Sequence, residues 1–215
     1  MDFDITLEFA GWYIAHPYWP EREQVINLEK KAGLNRVRSE ERRAKALNAW
    51  LAANQMRRDQ YDELVRLASR PFYTNGAAKP CIVVPAHQLH GMLAQASALA
   101  PAAVRVARLE QIRTMVQFGD LLTSKSAADG VYSRFVLVKS GTGQTLSNQR
   151  GLREDPYIAA FRAAGKVTLI DADLEHRVKN LLDWAGREIG VGAARKMGHG
   201  RFVVRTFRAA AAKAA

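Results

Sequence analysis

The chain has 215 residues, of which 48% are hydrophobic and 25% charged, with a net charge of +11 and a pI near 10.1. Such totals describe a globular protein with a sizeable core and exclude a disordered or fibrous chain. One cysteine, Cys81, excludes an internal disulfide and a cysteine-based zinc cluster. Arginine outnumbers lysine 22 to 10. A guanidinium-weighted excess suits bidentate phosphate contact and stacking, although a basic protein with no special partner carries the same total. The cysteine usage fits the cytoplasm. The acidic start Met1-Asp2-Phe3-Asp4 lacks a signal-peptide charge pattern, and no apolar run reaches membrane-spanning length.

Residues 2–15 alternate, with Phe3, Ile5, Leu7 and Phe9 on one face, and predict a first strand. His16-Pro17-Tyr18-Trp19-Pro20 is a break, and residues 21–38 are polar and basic without a clear period. The spacing then predicts a long helix over 39–70, opened by Ser39, Glu40 and Glu41 and made cationic by Arg42, Arg43, Lys45, Arg57, Arg58, Arg66 and Arg70. A solvated face and an RNA or partner surface are both open readings of that charge. Residues 71–80 read as a loop, 81–85 as a short apolar lead-in and 86–100 as a helix. The run 103–118 is ambiguous between strands and a helix. A strand over 131–138, a long polar loop over 140–156, a strand over 166–171, a helix over 173–188 and a strand over 201–207 complete the order. One βαββαβ unit, a ferredoxin-like α+β fold with insertions, fits that sequence of elements, and such a sheet can carry nucleic acid on its face. Neither an internal repeat nor a linker divides the chain, so it is read as a single domain, 1–215, with a helical basic insertion at 16–75. The alanine-rich tail, 209–215, reads as frayed.

The most informative stretch is Gly190 to Phe202, where four glycines and the cations Arg195, Lys196 and Arg201 lie between a helix and a strand. Glycine permits positive φ and close approach of backbone to ligand. Amides bared beside cations suit a phosphate. An irregular turn that needs glycine for geometry alone is the competing reading. Other chemistries lack their motifs: there is no Walker loop, no Gly-x-Ser-x-Gly and no metal-ligand spacing among the five histidines and Cys81. Gly190-x-Gly192 follows a helix rather than a strand, which argues against a dinucleotide fold. No cofactor or metal is expected.

Two segments together resemble the RAMP superfamily of CRISPR-associated proteins. One is Val84-Pro85-Ala86-His87-Gln88-Leu89-His90-Gly91-Met92-Leu93, similar to that family's lead-in to its first helix. The other is the glycine loop from Gly190 to Arg201, about 100 residues later and in the family's order. His87 and His90 depart from the Ser or Lys more usual there. The resemblance is nearest to the backbone subunit of effector complexes, with a type IV, minimal phage-borne or guide-end-capping variant also open. It implies a non-catalytic subunit that binds the crRNA guide and supports recognition of a target nucleic acid, beside other effector subunits and copies of itself, with no membrane partner. It also implies a thumb-like role for the 140–156 loop and a finger or web role for the insertion. The RNA contacts it implies are Gln88, His90, Arg150, Arg153, Gly192, Arg195, Lys196, Gly198, His199 and Arg201. For Arg150 and Arg153 a solvated loop is the alternative, and for His87 and His90 helix capping or packing. Two other functions stay open. One is a metal-independent RAMP endoribonuclease using His16, His87 or His90 as base and Lys196 as cation. The other is a phage-borne mimic that disturbs assembly.

Overall fold

The computed structural model describes residues 1–15, 20–34, 37, 39–105, 109–140 and 147–210; for 20, 109–111, 136–140 and 147–150 it describes the backbone alone. The chain runs β1 (Asp2–Tyr13), α1 (Pro20–Lys31), α2 (Glu40–Ala53), α3 (Arg58–Ser69), β2 (Tyr73–Thr74), β3 (Ile82–Val84), α4 (Ala86–Leu99), α5 (Leu109–Met115), β4 (Val116–Phe118), β5 (Leu121–Thr123), β6 (Gly130–Ser140), β7 (Ser147–Leu169), α6 (Glu175–Glu188) and β8 (Val203–Ala209). It divides into two compact units, 1–16 with 72–215, and 17–71. Among the described residues no helix is long and apolar enough to cross a membrane.

The larger unit is a mixed α+β structure on an antiparallel sheet ordered β2-β3-β5-β7-β1-β8, with β4 and β6 also paired to β7. β1 lies between β7 and β8 and alternates strictly: Phe3, Ile5, Leu7 and Phe9 are at most 1% exposed, while Asp4, Thr6 and Glu8 between them turn to the other face. Each such side chain removed from water contributes roughly 1.5–3 kcal/mol. The helices α4, through Leu89, Met92, Leu93 and Ala96, and α6, through Val178, Leu181, Leu182 and Ala185, supply the other half of the core. Phe9 stacks on Phe161 at 4.4 Å and leans on Phe202 at 5.3 Å, so the middle of the core is aromatic. At the end of β1 a bulge between Phe9 and Trp12 shifts its register against β7.

Three sequence expectations change. Residues 140 and 147–156, expected in a long loop, are strand: β6 and β7 form a hairpin whose ladder runs from Gly130↔Tyr157 to Ser140↔Ser147. Polar residues over 147–156 hide the β7 side of that ladder from a hydrophobic pattern, while β6 agrees with the strand expected over 131–138. Residues 141–146 of that expected loop lie outside the described residues. The helix expected over 39–70 is two helices. Gln55 at φ +54 and Asn54, whose side-chain amide donates to the Trp50 carbonyl at 2.8 Å, close α2, and Gln60 accepts from the Arg57 amide to open α3. The ambiguous 103–118 run resolves into α5 followed by β4, of which 106–108 lie outside the described residues.

The smaller unit packs α1, α2 and α3 around Leu28, Leu34, Leu47, Leu51 and Tyr61. Residues 21–38 showed no period because α1 commits so few apolar side chains to this core, Leu28 alone being fully enclosed. Glu29 joins the three helices, accepting from Arg43 at 2.8 Å and from the Tyr61 hydroxyl at 3.1 Å. Arg57, Arg58, Arg66 and Arg70 each meet a carboxylate within the unit. Much of the insertion's positive charge is thus compensated locally, in pairs worth about 0–1 kcal/mol each.

Candidate nucleic-acid interface

The glycine loop begins where α6 ends and folds back on itself. The Val191 amide donates to the Gly200 carbonyl at 2.9 Å, the Gly200 amide to Trp12 at 2.6 Å, and the Ala193 amide to Ile14 at 2.8 Å. These bonds tie the loop to the end of β1. Glycine is demanded by that packing. At Gly192 (φ +88) a Cβ would run into the Ile14 carbonyl and the Tyr13 ring, and at Gly200 (φ +72) into the Val191 carbonyl. Gly198 (φ +84), which closes a short 3-10 turn at Arg195–Met197, has open space instead. With the amides of Met197 and Gly198 bonded to Ala194 and Arg195, much of the loop's backbone is spent internally. What it offers a ligand is chiefly its side chains: Lys196 and Arg201 are exposed, and Arg195 is half-buried with Nη1 donating to Gln95 Oε1 of α4 at 2.9 Å.

The base of the β6–β7 hairpin meets this loop through aromatic rings. Trp12 lies between Tyr157 (centroids 4.2 Å apart, 14° between planes) and His199 (5.3 Å, 21°), while Tyr132 stands edge-on to Trp12 and to His199. The Tyr132 hydroxyl reaches Met197 Sδ at 3.5 Å. On the same hairpin face, the cross-strand pair Arg134↔Arg153 would repel, and the buried Asp155 carboxylate holds it together. Its Oδ2 accepts from Arg134 Nε at 3.1 Å and its Oδ1 from Arg153 Nε at 2.7 Å. Each guanidinium keeps terminal N–H donors, in the planar geometry that matches a phosphate. The ring stack thus sets the Arg134–Arg153 pair of the hairpin beside the loop that carries Arg195, Lys196 and Arg201. Burial, and after it the charge of Arg134, pushes the His199 pKa below its ordinary value. At neutral pH His199 is an uncharged ring in the stack rather than a further cation.

Arg134, Trp12, Tyr132 and Tyr157 carry no local motif that marks them in the sequence. Arg150 pairs with Leu137 on the hairpin, its side chain outside the described residues. Gln88 and His90 are turned inward. Gln88 is 9% exposed and accepts from the buried Tyr13 hydroxyl at 2.9 Å. His90 Nε2 accepts from the Phe118 amide at 3.2 Å, with the ring edge-on to Phe118, so it pins α4 to β4. His87 stands at the first turn of α4 near Tyr73 and Asp120. No bond or ring contact joins Lys196 to His87 or His90 among the described residues. His16 lies outside them, and they contain no His, Cys, Asp and Glu cluster able to hold a metal.

Burial holds the His87 and His90 pKa values down too, and His87 adds to the effect on His90. Because the folded state favours the neutral rings, it binds fewer protons than the unfolded chain just below pH 6.5. Stability is then full above that pH and declines on acidification through the folded-state values. The melting temperature is expected to fall as pH drops from 7 towards 5, above the range in which carboxylates titrate. His90→Gln, which keeps an acceptor for the Phe118 amide, should reduce that fall. An equal fall in His90→Gln would show that His90 is not a source of it.

No protein-family model matches the chain, and no curated protein matches it in sequence. Among solved structures, a chain of the cryo-EM structure of the type III-B Cmr-β complex bound to cognate target RNA is similar at 9% identity with a TM-score of 0.48, over 96% of this chain. The chain spans 59% of the length of that one. Cmr6 from Pyrococcus furiosus is similar at 13% identity with a TM-score of 0.34, over 94% of this chain and 97% of Cmr6.

Proposed function

We propose that the protein is a non-catalytic RNA-binding subunit of a CRISPR ribonucleoprotein, of the RAMP type, that holds a guide strand by its phosphates. The observation that carries this reading is the cationic surface where the glycine loop meets the hairpin, with the rings of Trp12, Tyr132, Tyr157 and His199 fixing the two to each other. Guanidinium groups set by a buried carboxylate suit sequence-independent phosphate contact, which positions a strand and leaves its bases free to pair. A ferredoxin-like reading of the core is supported by the chain order β1, α4, β4 and β5, β7, α6, β8 and by the placing of β1 between β7 and β8. The inward turn of His90, whose Nε2 is taken up by the Phe118 amide, favours a binding role over the endoribonuclease alternative.

Replacing Arg195 and Lys196 together with Ala is expected to weaken binding of single-stranded RNA similarly across sequences. The slope of log affinity against log salt should flatten by about 0.7 for each phosphate that is no longer neutralised. Anisotropy titrations with two unrelated oligonucleotides over a range of salt concentrations measure both. Unchanged affinity and slope would remove the loop from the interface. Intact repeat RNA after incubation with the protein and EDTA is the result expected of a non-catalytic subunit, and site-specific cutting would replace this reading with the nuclease.

A further inference from the structure

The face of the sheet opposite α4 and α6 carries a second arrangement of two arginines around one carboxylate. Glu8 of β1 accepts from Arg162 of β7 at 3.1–3.2 Å through its Oε1 and from Arg205 Nε of β8 through its Oε2. Those hydrogen bonds, from Arg205 first and then Arg162, hold the Glu8 carboxyl below its ordinary range, so the trio carries one net positive charge at neutral pH. Arg162 and Arg205 are 68% and 59% exposed, and each keeps terminal N–H groups that Glu8 does not occupy.

Beside this trio the sheet has a hollow. The β1 bulge puts Ala10 and Gly11 opposite Ala160, whose φ of +47 is rare for a residue with a Cβ. Small residues at the bulge leave an open hollow of about 520 Å³ lined by Glu8, Ala10, Ser124, Ala160 and Arg162, together with Phe9 and Phe161. That volume lies in the range of small-molecule sites. Backbone held in a sparsely populated region beside a bulge is a common mark of a functional site. An apolar floor with one hydroxyl, next to two guanidinium groups held on one carboxylate, offers separate places for a planar ring and for a phosphate.

We propose that this cavity binds a nucleotide unit, its phosphate on Arg162 and Arg205 and its base over Ala10 and Ala160. The unit is either a free mononucleotide or one residue of a bound strand, and only the second source rests on the RNA-binding reading above. Calorimetric titration with adenosine monophosphate and anisotropy with an oligouridylate separate the two. Three variants are compared: Ala10→Leu and Ser124→Leu, which fill the hollow and keep the charge, and the double variant Arg162→Gln with Arg205→Gln. Both leucine positions are exposed, and thermal melts identify the variant that keeps the native fold.

Saturable binding of the mononucleotide that falls about tenfold or more in a folded leucine variant and in the double variant supports the free-ligand source. An oligouridylate affinity that falls in both types of variant supports the strand source. The proposal is overturned if neither probe binds, or if the leucine variants leave both affinities unchanged, even where the arginine variant weakens RNA through charge alone. Should the wild type fail to bind RNA, the RNA reading fails, while the mononucleotide titration still decides this site.

Discussion

Gly200→Ala is expected to destabilise the protein by about 3 kcal/mol or more, and Gly198→Ala by only about 1 kcal/mol. The two glycines have similar backbone angles, φ +72 and +84, so the cost of placing an L-residue in the left-handed region is nearly the same at both. They differ in space. A Cβ on Gly200 meets the Val191 carbonyl, with the Val191 C and N close behind, whereas a Cβ on Gly198 meets nothing within 4 Å. Backbone atoms cannot rotate away as a side chain can, so relief at position 200 must come from moving the loop. Movement would loosen the Val191-to-Gly200 and Gly200-to-Trp12 hydrogen bonds that fasten the loop to β1. A loss of about 3 kcal/mol is a large share of the 5–15 kcal/mol typical of a whole domain. Urea denaturation of the two variants side by side measures the difference. RNA affinity should fall with stability at position 200 and hold at 198. Equal midpoints would mean that the loop tolerates a side chain at 200 and that its packing is not what requires glycine.

This contrast shows what the sequence made legible. The glycine cluster is recognisable as a special bend, but three of its glycines, Gly190, Gly192 and Gly200, answer to the chain's own backbone. No single sequence distinguishes a glycine that approaches a ligand from one that approaches Ile14 or Val191, because both need the same missing Cβ. Phe3, Ile5, Leu7 and Phe9 revealed β1 because one face of that strand is buried throughout its length. The apolar spacing of α6 revealed it for the same reason. Only half of the hairpin was legible: the strand expected over 131–138 agrees with β6, whereas Arg153 and Asp155 look like loop residues until a ladder sets Tyr132 against Asp155 and Arg134 against Arg153. Gln88 and His90 looked available at a helix start, yet hydrogen bonds accepted from the Tyr13 hydroxyl and the Phe118 amide, residues far off in sequence, turn them into packing groups. The ring stack was the least visible feature. Its members come from positions 12, 132, 157 and 199, and no local pattern links a tryptophan at the end of the first strand to a histidine next to the last.

That stack carries the second large effect. Trp12→Ala is expected to cost roughly 3 kcal/mol of stability, the low end for removing a large aromatic, since Trp12 is only half-buried. Its effect on RNA binding should exceed what reduced stability explains. Trp12 stacks on both Tyr157 of the hairpin and His199 of the loop, so without it only the edge-on Tyr132–His199 contact and the Tyr132–Met197 bond hold Arg134 and Arg153 in relation to Arg195, Lys196 and Arg201. No cation is removed, and nonspecific attraction to RNA persists. What disappears is the simultaneous engagement of several phosphates on one strand, and with it counterion release per binding event. The salt slope should therefore become shallower by more than the share of a single phosphate, which is about 0.7. Trp12→Phe, which keeps an aromatic face between Tyr157 and His199, should restore much of the slope while recovering only part of the stability. A slope that is the same in wild type, Trp12→Ala and Trp12→Phe would mean that the two groups of cations act independently, and the joined surface on which the functional reading depends would be abandoned.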